Sequence, residues 1–366
     1  MKITRVDTFP VRIPLKAVFR NSHLARVSQD SILVRVLADE GVTGVGDVDP
    51  DPGYSEESFA ETLSAIRDRL APSLLGMDPM NIASALERMD RLLPGRLDAK
   101  AAIEMALFDL KGKALGFPVH SLLGGMLREE ISLNGWIGML PPEEAAREAT
   151  VWLEAGFRSA KIKVGSGIEQ DRDRVMAVRE AVGRNMALRV DANEAYTVED
   201  AIRLARVLSP FDISLFEQPV SRHDLDGMAK VRRAVEIPVM ADEAILGPET
   251  LIEVIRKEAA DIVKVKVMKQ GGISRTTHMI QMAGAAGLKC VIGHGFGLAI
   301  NTLAEIHVAA SCRNILEGCE FVGPLKIQKD VVANRLFMEA GKVKVPHDAG
   351  LGAEIDEAKL EECLLV

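Results

Sequence analysis

The second half of the chain alternates short apolar runs with longer segments in which apolar residues recur every three to four positions. The short runs are typical of buried parallel strands, and the segments between them are typical of amphipathic helices. The predicted strands are, in order, ISLNGWIGM, SAKIKVG, ALRVDAN, ISLFEQP, IPVMADE, DIVKVKVM, LKCVIGH and RNILEGCE. A parallel barrel needs eight strands to close. We therefore predict an α/β fold with a modified, TIM-like (β/α) barrel over residues 126–320.

The first 120 residues follow a different pattern. Period-two alternation in ITRVDTFPVRI and SILVRVLADEGVTGVGDV predicts strands, and the Glu-Gly pair at 40–41 predicts a hairpin turn between two of them. Helical periodicity follows in SEESFAETLSAIRDRLAP, NIASALERMDRLL and AKAAIEMALFDLKGKALG. Strands followed by helices predict a separate α+β domain over residues 1–120, which ends in the loop at 117–125. The tail, residues 321–366, lacks another complete strand–helix unit, so we expect it to return to this first domain.

Composition excludes several classes of protein. A formal net charge of −8 and a pI near 5.5 argue against a nucleic acid or an anionic membrane as partner. No apolar stretch reaches transmembrane length, and the N-terminal MKITRVDTFPV lacks the apolar core of a signal peptide, so we expect a cytoplasmic enzyme. The four cysteines form no CxxC pair, which favours reduced thiols over a metal site or disulfides.

Five charged residues stand at the ends of successive predicted strands. They are separated by 28, 26, 25 and 24 residues and are Lys163, Asp191, Glu217, Asp242 and Lys266. A closed barrel gathers its strand ends on one face, and strands two and six of eight lie on opposite walls. Three carboxylates would therefore meet between two lysines. Buried carboxylates in such a group need a cation, and all-oxygen ligation favours Mg²⁺, with Mn²⁺ as an alternative.

Each of the two lysines has a second lysine two residues before it, Lys161 or Lys264. Side chains two positions apart on a strand share a face. One ammonium group disfavours protonation of a neighbouring amine, which suits a pair of lysines to acid–base catalysis. The alternative for any one of these lysines taken alone is a side chain that extends to solvent.

The ordered motifs resemble a known family. KIK at 161–163, DAN at 191–193, EQP at 217–219, ADE at 241–243 and KVKVMKQGGI at 264–273 are similar to the mandelate racemase and muconate lactonizing enzyme family of the enolase superfamily. AAIEMALFDLKGKALGFPVHSLLGG resembles the link from the family's N-terminal cap to its barrel. CEFVGPLKIQKDVV, and a lysine rather than a histidine on strand six, resemble the muconate lactonizing (muconate cycloisomerase) subgroup. The resemblance covers almost the whole chain.

The resemblance implies a role for each of these residues. Lys163 and Lys266 would act as acid and base on opposite faces of the substrate, and Lys161 would tune Lys163 and stabilise charge on the substrate. Mg²⁺ would be held by Asp191, Glu217 and Asp242. The implied activity is that of a Mg²⁺-dependent isomerase that moves a proton α to a small-molecule carboxylate through an enolate, most similar to a muconate cycloisomerase. A homo-oligomer is also implied.

Four further residues are expected to contact the substrate. They are Tyr54 in the cap loop at 48–56, Asn193 beside Asp191, His294 after strand seven and Glu320 at the end of strand eight. A packing role is the alternative for His294. Asn193 could instead hydrogen-bond a residue of the site, and Glu320 could instead hydrogen-bond a lysine. Family members that epimerise dipeptides hold the substrate ammonium with Asp-x-Asp on strand eight, where this chain has Cys319-Glu320-Phe321. Dipeptides are therefore disfavoured.

Other reactions stay open. The same residues permit racemisation or epimerisation of N-acylamino acids or other amino acids, o-succinylbenzoate synthesis and dehydration. From another class, a Schiff-base aldolase would use one strand-six lysine without a metal. A glycoside hydrolase would also use strand-end carboxylates, but an aromatic content of 4% leaves few rings for a sugar platform.

Overall fold

The computed structural model describes residues 1–20, 25–50, 55–293, 296–334 and 336–365 of the chain. Tyr54 and His294 lie outside the described residues. The N-terminal domain, called the cap below, begins with an antiparallel sheet in the order β1 (Ile3–Arg20), β2 (Ala25–Ala38) and β3 (Thr43–Val48). The predicted hairpin joins β2 to β3, and its Gly41 has φ of +81°, a backbone conformation that favours glycine.

Helices follow the cap sheet. They are α1 (Phe59–Ser64), a π-helical turn (Ala65–Leu70), α2 (Ala71–Leu74), α3 (Ile82–Leu92), α4 (Leu97–Leu115) and α5 (Val119–Leu122). Helix α4 lies against β3 so closely that a Cβ on Gly46 would collide with the carbonyl oxygen of Ala102. The helix ends at Gly116, whose left-handed conformation forms the C-cap expected from its sequence.

Strands and helices alternate through the barrel. After β4 (Glu130–Ser132) they are β5 (Gly135–Ile137), α6 (Pro142–Glu154), β6 (Ser159–Lys163), α7 (Ile168–Val182), β7 (Ala187–Asp191), α8 (Val198–Leu208) with a 3₁₀ turn (Ser209–Phe211), β8 (Ile213–Glu217), α9 (Leu225–Ala234), β9 (Val239–Ala241), α10 (Pro248–Arg256), β10 (Ile262–Val265), α11 (Ile273–Ala285), β11 (Lys289–Ile292) and α12 (Ala299–Ser311). The parallel sheet has the order β11-β10-β9-β8-β7-β6-β5.

Residues 314–320 close this sheet into a barrel. On one side the amide of Leu316 donates to the carbonyl of Cys290 at 2.8 Å, and the amide of Glu320 donates to Ile292 at 2.7 Å. On the other side the amide of Asn134 donates to the carbonyl of Cys319 at 2.8 Å. The predicted eighth strand therefore joins the seventh strand to the first, and the predicted barrel with an N-terminal cap is confirmed.

The tail contacts both domains. Its elements are α13 (Gly323–Lys326), β12 (Met338–Glu339), β13 (Lys342–Lys344) and α14 (Glu357–Cys363). The amide of Leu365 donates to Pro10 at 2.9 Å and that of Gln328 to Pro14 at 2.9 Å, so the tail lies along the edge of β1. All four cysteines are buried free thiols. Among the described residues, no helix combines the length and apolar character needed to cross a membrane.

The first predicted strand was wrong in its extent. ISLNGWIGM was expected to form a single barrel strand, but β4 pairs antiparallel with β13 of the tail, and only Gly135–Ile137 pairs with β6. The change of pairing partner falls between two successive residues. The amide of Leu133 still donates to Gly341 of the tail, whereas the amide of Asn134 donates to Cys319 of the barrel. An apolar run predicts extended backbone without indicating which neighbour each half will meet.

Candidate active site

One end of the barrel interior is charged and the other is apolar. Along the inward-facing positions, the apolar end is filled by Leu215, Met240, Ile262 and Val291. Two residues further along β8 and β10 the same face carries Glu217 and Lys264. The charged end is the carboxyl end of the strands, where active sites of parallel barrels lie.

The five residues singled out by their spacing lie together at this end. In the strand register Lys163 is opposite Asp191, and Asp191 is opposite Glu217. Asp242 and Lys266 each follow directly after the end of a strand, β9 or β10. Strands β6 and β10 stand four positions apart in the sheet, so the two lysines rise from opposite walls.

Lysine ammonium groups bond to each of the three carboxylates. Lys163 Nζ lies 2.7 Å from Asp191 Oδ2, and Lys266 Nζ lies 2.9 Å from Asp242 Oδ2. Glu217, between them, accepts a hydrogen bond from Lys264 at 2.8 Å. The two candidate acid–base lysines are therefore paired with different carboxylates on different walls.

Glu320 connects the first lysines of the two pairs. Its Oε2 accepts from Lys161 Nζ at 2.5 Å and from Lys264 Nζ at 2.6 Å. Arg189, which the sequence analysis missed, donates to Glu320 Oε1 at 3.4 Å. Burial favours a raised pKa for Glu320, but Lys161, Lys264 and then Arg189 outweigh it and hold that pKa well below its usual range.

The first lysine of each pair stays charged for the same reason. Burial favours a lower pKa for Lys161, but Glu217 and Glu320 outweigh it, and the pKa is raised. At Lys264 burial is likewise outweighed, by Glu217, Glu320 and Asp242, so its pKa is raised well above normal. A protonated Lys161 next to Lys163 is the condition for the tuning role that the family resemblance implies.

Glu217 is the one of these three carboxylates whose negative charge is disfavoured where it lies. Burial, and next the charge of Asp191, raise the pKa of Glu217 to about 8 despite the lysines beside it. Among the described residues no three His, Cys, Asp or Glu side chains converge on one cation-binding point, and the oxygens of this group face ammonium nitrogens instead. Buried carboxylates on three adjacent strands are nevertheless an all-oxygen donor set of the kind that Mg²⁺ binds, so the residues present fit the ion.

Asn193 contacts another polar residue of this charged end at each end of its amide. Its Oδ1 accepts a hydrogen bond from Lys163 at 2.5 Å, and its Nδ2 donates to Glu243 Oε1 at 2.8 Å. On the opposite wall Lys269 donates to Asp242 Oδ1 at 2.8 Å, and burial lowers the pKa of Lys269 to about 8. The sequence analysis missed Glu243 and Lys269, although both lie inside the quoted motifs ADE and KVKVMKQGGI.

The cap reaches the carboxyl end of the barrel through Asp49. This carboxylate accepts hydrogen bonds from the amides of Phe296 at 2.6 Å and Gly297 at 3.1 Å, in the segment between β11 and α12. The side chain of Asp47 accepts one from Leu298 at 3.4 Å. Cap carboxylates thus position the segment that follows strand seven.

A capped parallel barrel with lysines and carboxylates at its strand ends agrees with the resemblance of the sequence motifs to the enolase superfamily. Residues 3–124 match the N-terminal domain of mandelate racemase and muconate lactonizing enzyme, and residues 144–359 match the enolase C-terminal domain-like description. The chain belongs to the mandelate racemase/muconate lactonizing enzyme family and is an isomerase.

Individual relatives are similar over their whole lengths. The chain is 36% identical over 363 residues to the N-succinyl-L-Arg/Lys racemase of Bacillus cereus, covering 99% of this chain and 98% of that protein. It is 34% identical over 355 residues to the L-Ala-D/L-Glu epimerase of Bacillus subtilis, covering 96% of each.

Solved structures of relatives are correspondingly similar. The crystal structure of the Bacillus cereus racemase superposes with a TM-score of 0.97 at 35% identity, covering 100% of this chain and 99% of that one. A dipeptide epimerase from Enterococcus faecalis, complexed with Mg and L-Leu-L-Tyr, gives a TM-score of 0.93 at 34% identity, covering 97% and 100%. A muconate lactonizing enzyme from Pseudomonas fluorescens, complexed with muconolactone, gives 0.96 at 30% identity, covering 99% of each.

Proposed function

We propose that this protein is a Mg²⁺-dependent racemase or epimerase that removes and returns the proton at the carbon next to a substrate carboxylate. The observation that carries the proposal is the position of Lys163 and Lys266 at the ends of strands four apart, each bonded to a different carboxylate. Two amines on opposite walls can address opposite faces of one carbon. That arrangement supports inversion of configuration at the carbon.

The metal would be held by the carboxylates of Asp191, Glu217 and Asp242. When bound, it supplies Lewis-acid stabilisation of the negative charge that develops on the substrate carboxylate as its α-carbon loses a proton. The lysines that now face these oxygens carry the positive charge that the buried carboxylates require.

The proton transfers then involve the second lysine of each pair. Lys163, as an uncharged amine, takes the α-proton: a C–H bond breaks, an N–H bond forms and the electron pair enters the enolate. Lys266 returns a proton to the opposite face, and the reverse reaction exchanges the two roles. Lys161 and Lys264 stay charged beside them because Glu217 and Glu320 raise the pKa of each.

The charges around Glu320 favour a substrate whose α-nitrogen is uncharged. Glu320 is the acid at the end of strand eight, and Lys161, Lys264 and Arg189 already neutralise it. A substrate ammonium group would have to compete with these three cations. An N-acylated amino acid avoids the competition, and the Bacillus cereus relative is named an N-succinyl-L-Arg/Lys racemase.

A muconate-type cycloisomerase is the second candidate. It is the activity that the sequence analysis predicts. It is supported by the TM-score of 0.96 with a muconate lactonizing enzyme. In such an enzyme only one lysine transfers a proton, and its counterpart contributes charge near the carboxylate.

Exchange of the α-proton in D₂O separates the two candidates. We expect wild-type protein with Mg²⁺ to label both enantiomers of an N-acylamino acid, and Lys163→Ala and Lys266→Ala each to slow racemisation by roughly 10²–10⁴-fold. Each variant should still label one enantiomer, and the two variants should label opposite ones. Lys289→Ala, which removes an exposed lysine at the other end of β11, is the matched control.

Three results would contradict the proposal. Loss of exchange in only one lysine variant would support the cycloisomerase. Exchange at the full rate without a divalent cation would exclude the metal's role. Trapping of a lysine adduct with borohydride and a keto acid would indicate a Schiff-base aldolase instead.

A further inference from the structure

A further cationic side chain, Lys326, lies beside the charged end of the barrel. It is the last residue of α13, which follows Glu320 and the eighth strand. Its Nζ lies 4.6 Å from the ring centroid of Trp136 on β5 and 4.8 Å from that of Phe296 after β11. The ammonium group therefore stands where strand one meets the segments that follow strands seven and eight.

The cap brings a second cation to the same ring. The guanidinium carbon of Arg26, near the start of β2, lies 4.1 Å from the ring centroid of Phe296. Phe296 itself is buried, and its amide is held by Asp49 of the cap. The ring of Phe296 thus lies within cation–π distance of one cation from the tail and one cation from the cap.

The charges around Lys326 favour an added anion. Burial, and then the positive charges of Lys161, Lys163 and Arg26, lower the pKa of Lys326 to about 7, and Glu320 opposes the shift. Glu148 is another nearby acid, and its carboxylate accepts a hydrogen bond from the amide of Gly138 at 3.1 Å. An ammonium group disfavoured by burial and by neighbouring cations is stabilised when a ligand brings a negative charge to it.

We propose that Lys326 and Arg26 form an anion subsite that binds a second carboxylate of the substrate. The substrate class is then a dicarboxylate: an N-acylamino acid whose acyl chain ends in a carboxylate. The rings of Trp136 and Phe296 would flank the methylene groups of that chain. This inference rests on the proposed function for the reacting end of the substrate, and it assigns the opposite end to named residues.

Matched substrates test the subsite during turnover. We would measure kcat and KM for α-proton exchange with N-succinyl and N-butyryl derivatives of one amino acid, which differ in the terminal carboxylate. Wild-type protein should prefer the N-succinyl derivative. Lys326→Met should reduce that preference, expressed as the ratio of the two kcat/KM values, by roughly 10- to 100-fold, the usual cost of removing a charged hydrogen-bond partner.

Two further variants separate binding from structure. The loss in Lys326→Met should fall mainly on KM for the N-succinyl derivative, and Lys326→Arg should restore most of the preference. Lys329→Met, three residues on in the same segment and paired with Glu362 at the surface, should keep the wild-type ratio. An equal loss on both derivatives in Lys326→Met, or a wild-type preference for the N-butyryl derivative, would overturn the proposal.

Calorimetric titration keeps the result independent of turnover. N-succinylglycine should bind to wild-type protein with Mg²⁺ more tightly than N-butyrylglycine, and Lys326→Met should remove most of the difference. Such binding without exchange of any N-acylamino acid would support the subsite and overturn the proposed function. Equal binding of the two ligands to wild-type protein would overturn the subsite, whatever exchange is observed.

Discussion

A Cβ atom added to Gly293 would stand 2.6 Å from Cε of Lys264. Gly293 is the residue after β11, and Lys264 lies on the neighbouring strand β10, opposite Val291. The missing side chain leaves the space through which Lys264 reaches Glu217 at 2.8 Å and Glu320 at 2.6 Å. A single glycine thus keeps room for a buried ammonium group.

Gly293→Ala is expected to lower turnover strongly with little change in the fold. Lys264 would have to shift, because its Cε would stand 2.6 Å from the added carbon while its ammonium group bonds to both carboxylates. We expect a loss in kcat on the order of 10²-fold, within the range for a misplaced acid–base or charge-stabilising group. Turnover and circular dichroism measured on the same sample would check this. Wild-type turnover in the variant would contradict a need for this space beside Lys264.

Removal of the metal is expected to abolish activity. EDTA should stop α-proton exchange and Mg²⁺ should restore it, with Mn²⁺ as the alternative ion. Asp191→Asn should weaken Mg²⁺ binding at least tenfold. Mutation of residues that only hydrogen-bond to metal ligands already lowers metal affinity by roughly 10- to 100-fold. Calorimetric titration with Mg²⁺ measures this, and Asp226→Asn, a change at an exposed acid on α9, is the control. Full activity of the metal-free protein would contradict the site.

Glu104 of the cap is expected to stabilise the barrel helix α11. Its buried carboxylate accepts hydrogen bonds from the amides of Ile273 at 2.6 Å and Ser274 at 2.8 Å, at the first turn of that helix. Glu104→Ala leaves one buried and one partly buried amide without an acceptor and should cost about 2–4 kcal/mol of unfolding free energy. Glu104→Gln, which keeps one acceptor oxygen, should cost less. Denaturant unfolding of the three proteins checks the order, and equal stabilities would contradict it.

His307 is expected to make stability fall in acid. Its Nδ1 accepts a hydrogen bond from the amide of His120 at 3.2 Å, and its Nε2 lies 3.3 Å from the carbonyl oxygen of Leu351 and donates to it, so the ring is neutral. Burial lowers its pKa from 6.5 to about 3. Between these values the unfolded chain binds a proton that the folded protein does not, so stability is lost as the pH falls from about 6.5 toward 3.

The shift of His307 corresponds to several kcal/mol at about 1.4 kcal/mol per pKa unit. Glu104, whose pKa burial raises to about 7, acts in the opposite direction over part of this range. The comparison is therefore between wild-type protein and His307→Gln at each pH, by denaturant unfolding. The variant should show a shallower loss of stability in acid, and His278→Gln, at an exposed position of α11, should follow the wild type. Parallel curves for wild type and His307→Gln would contradict the prediction.

The sequence by itself determined the barrel and the group of residues at its strand ends. Apolar runs at near-regular spacing predict parallel strands, and a closed barrel must bring its strand ends to one face. Lys163, Asp191 and Lys266 could therefore be placed at one end of the barrel without coordinates, because their position depends on local periodicity and on one closure rule.

Only the tertiary structure decided which of these groups touch. Arg189 and Glu320 are 131 positions apart and meet across the barrel interior, and Lys326 meets Arg26 of the cap at the ring of Phe296. The division of ISLNGWIGM between the tail and the barrel has the same origin. Such contacts depend on how distant segments pack and on how buried charges are balanced, and neither quantity is encoded in the spacing of residues along one strand.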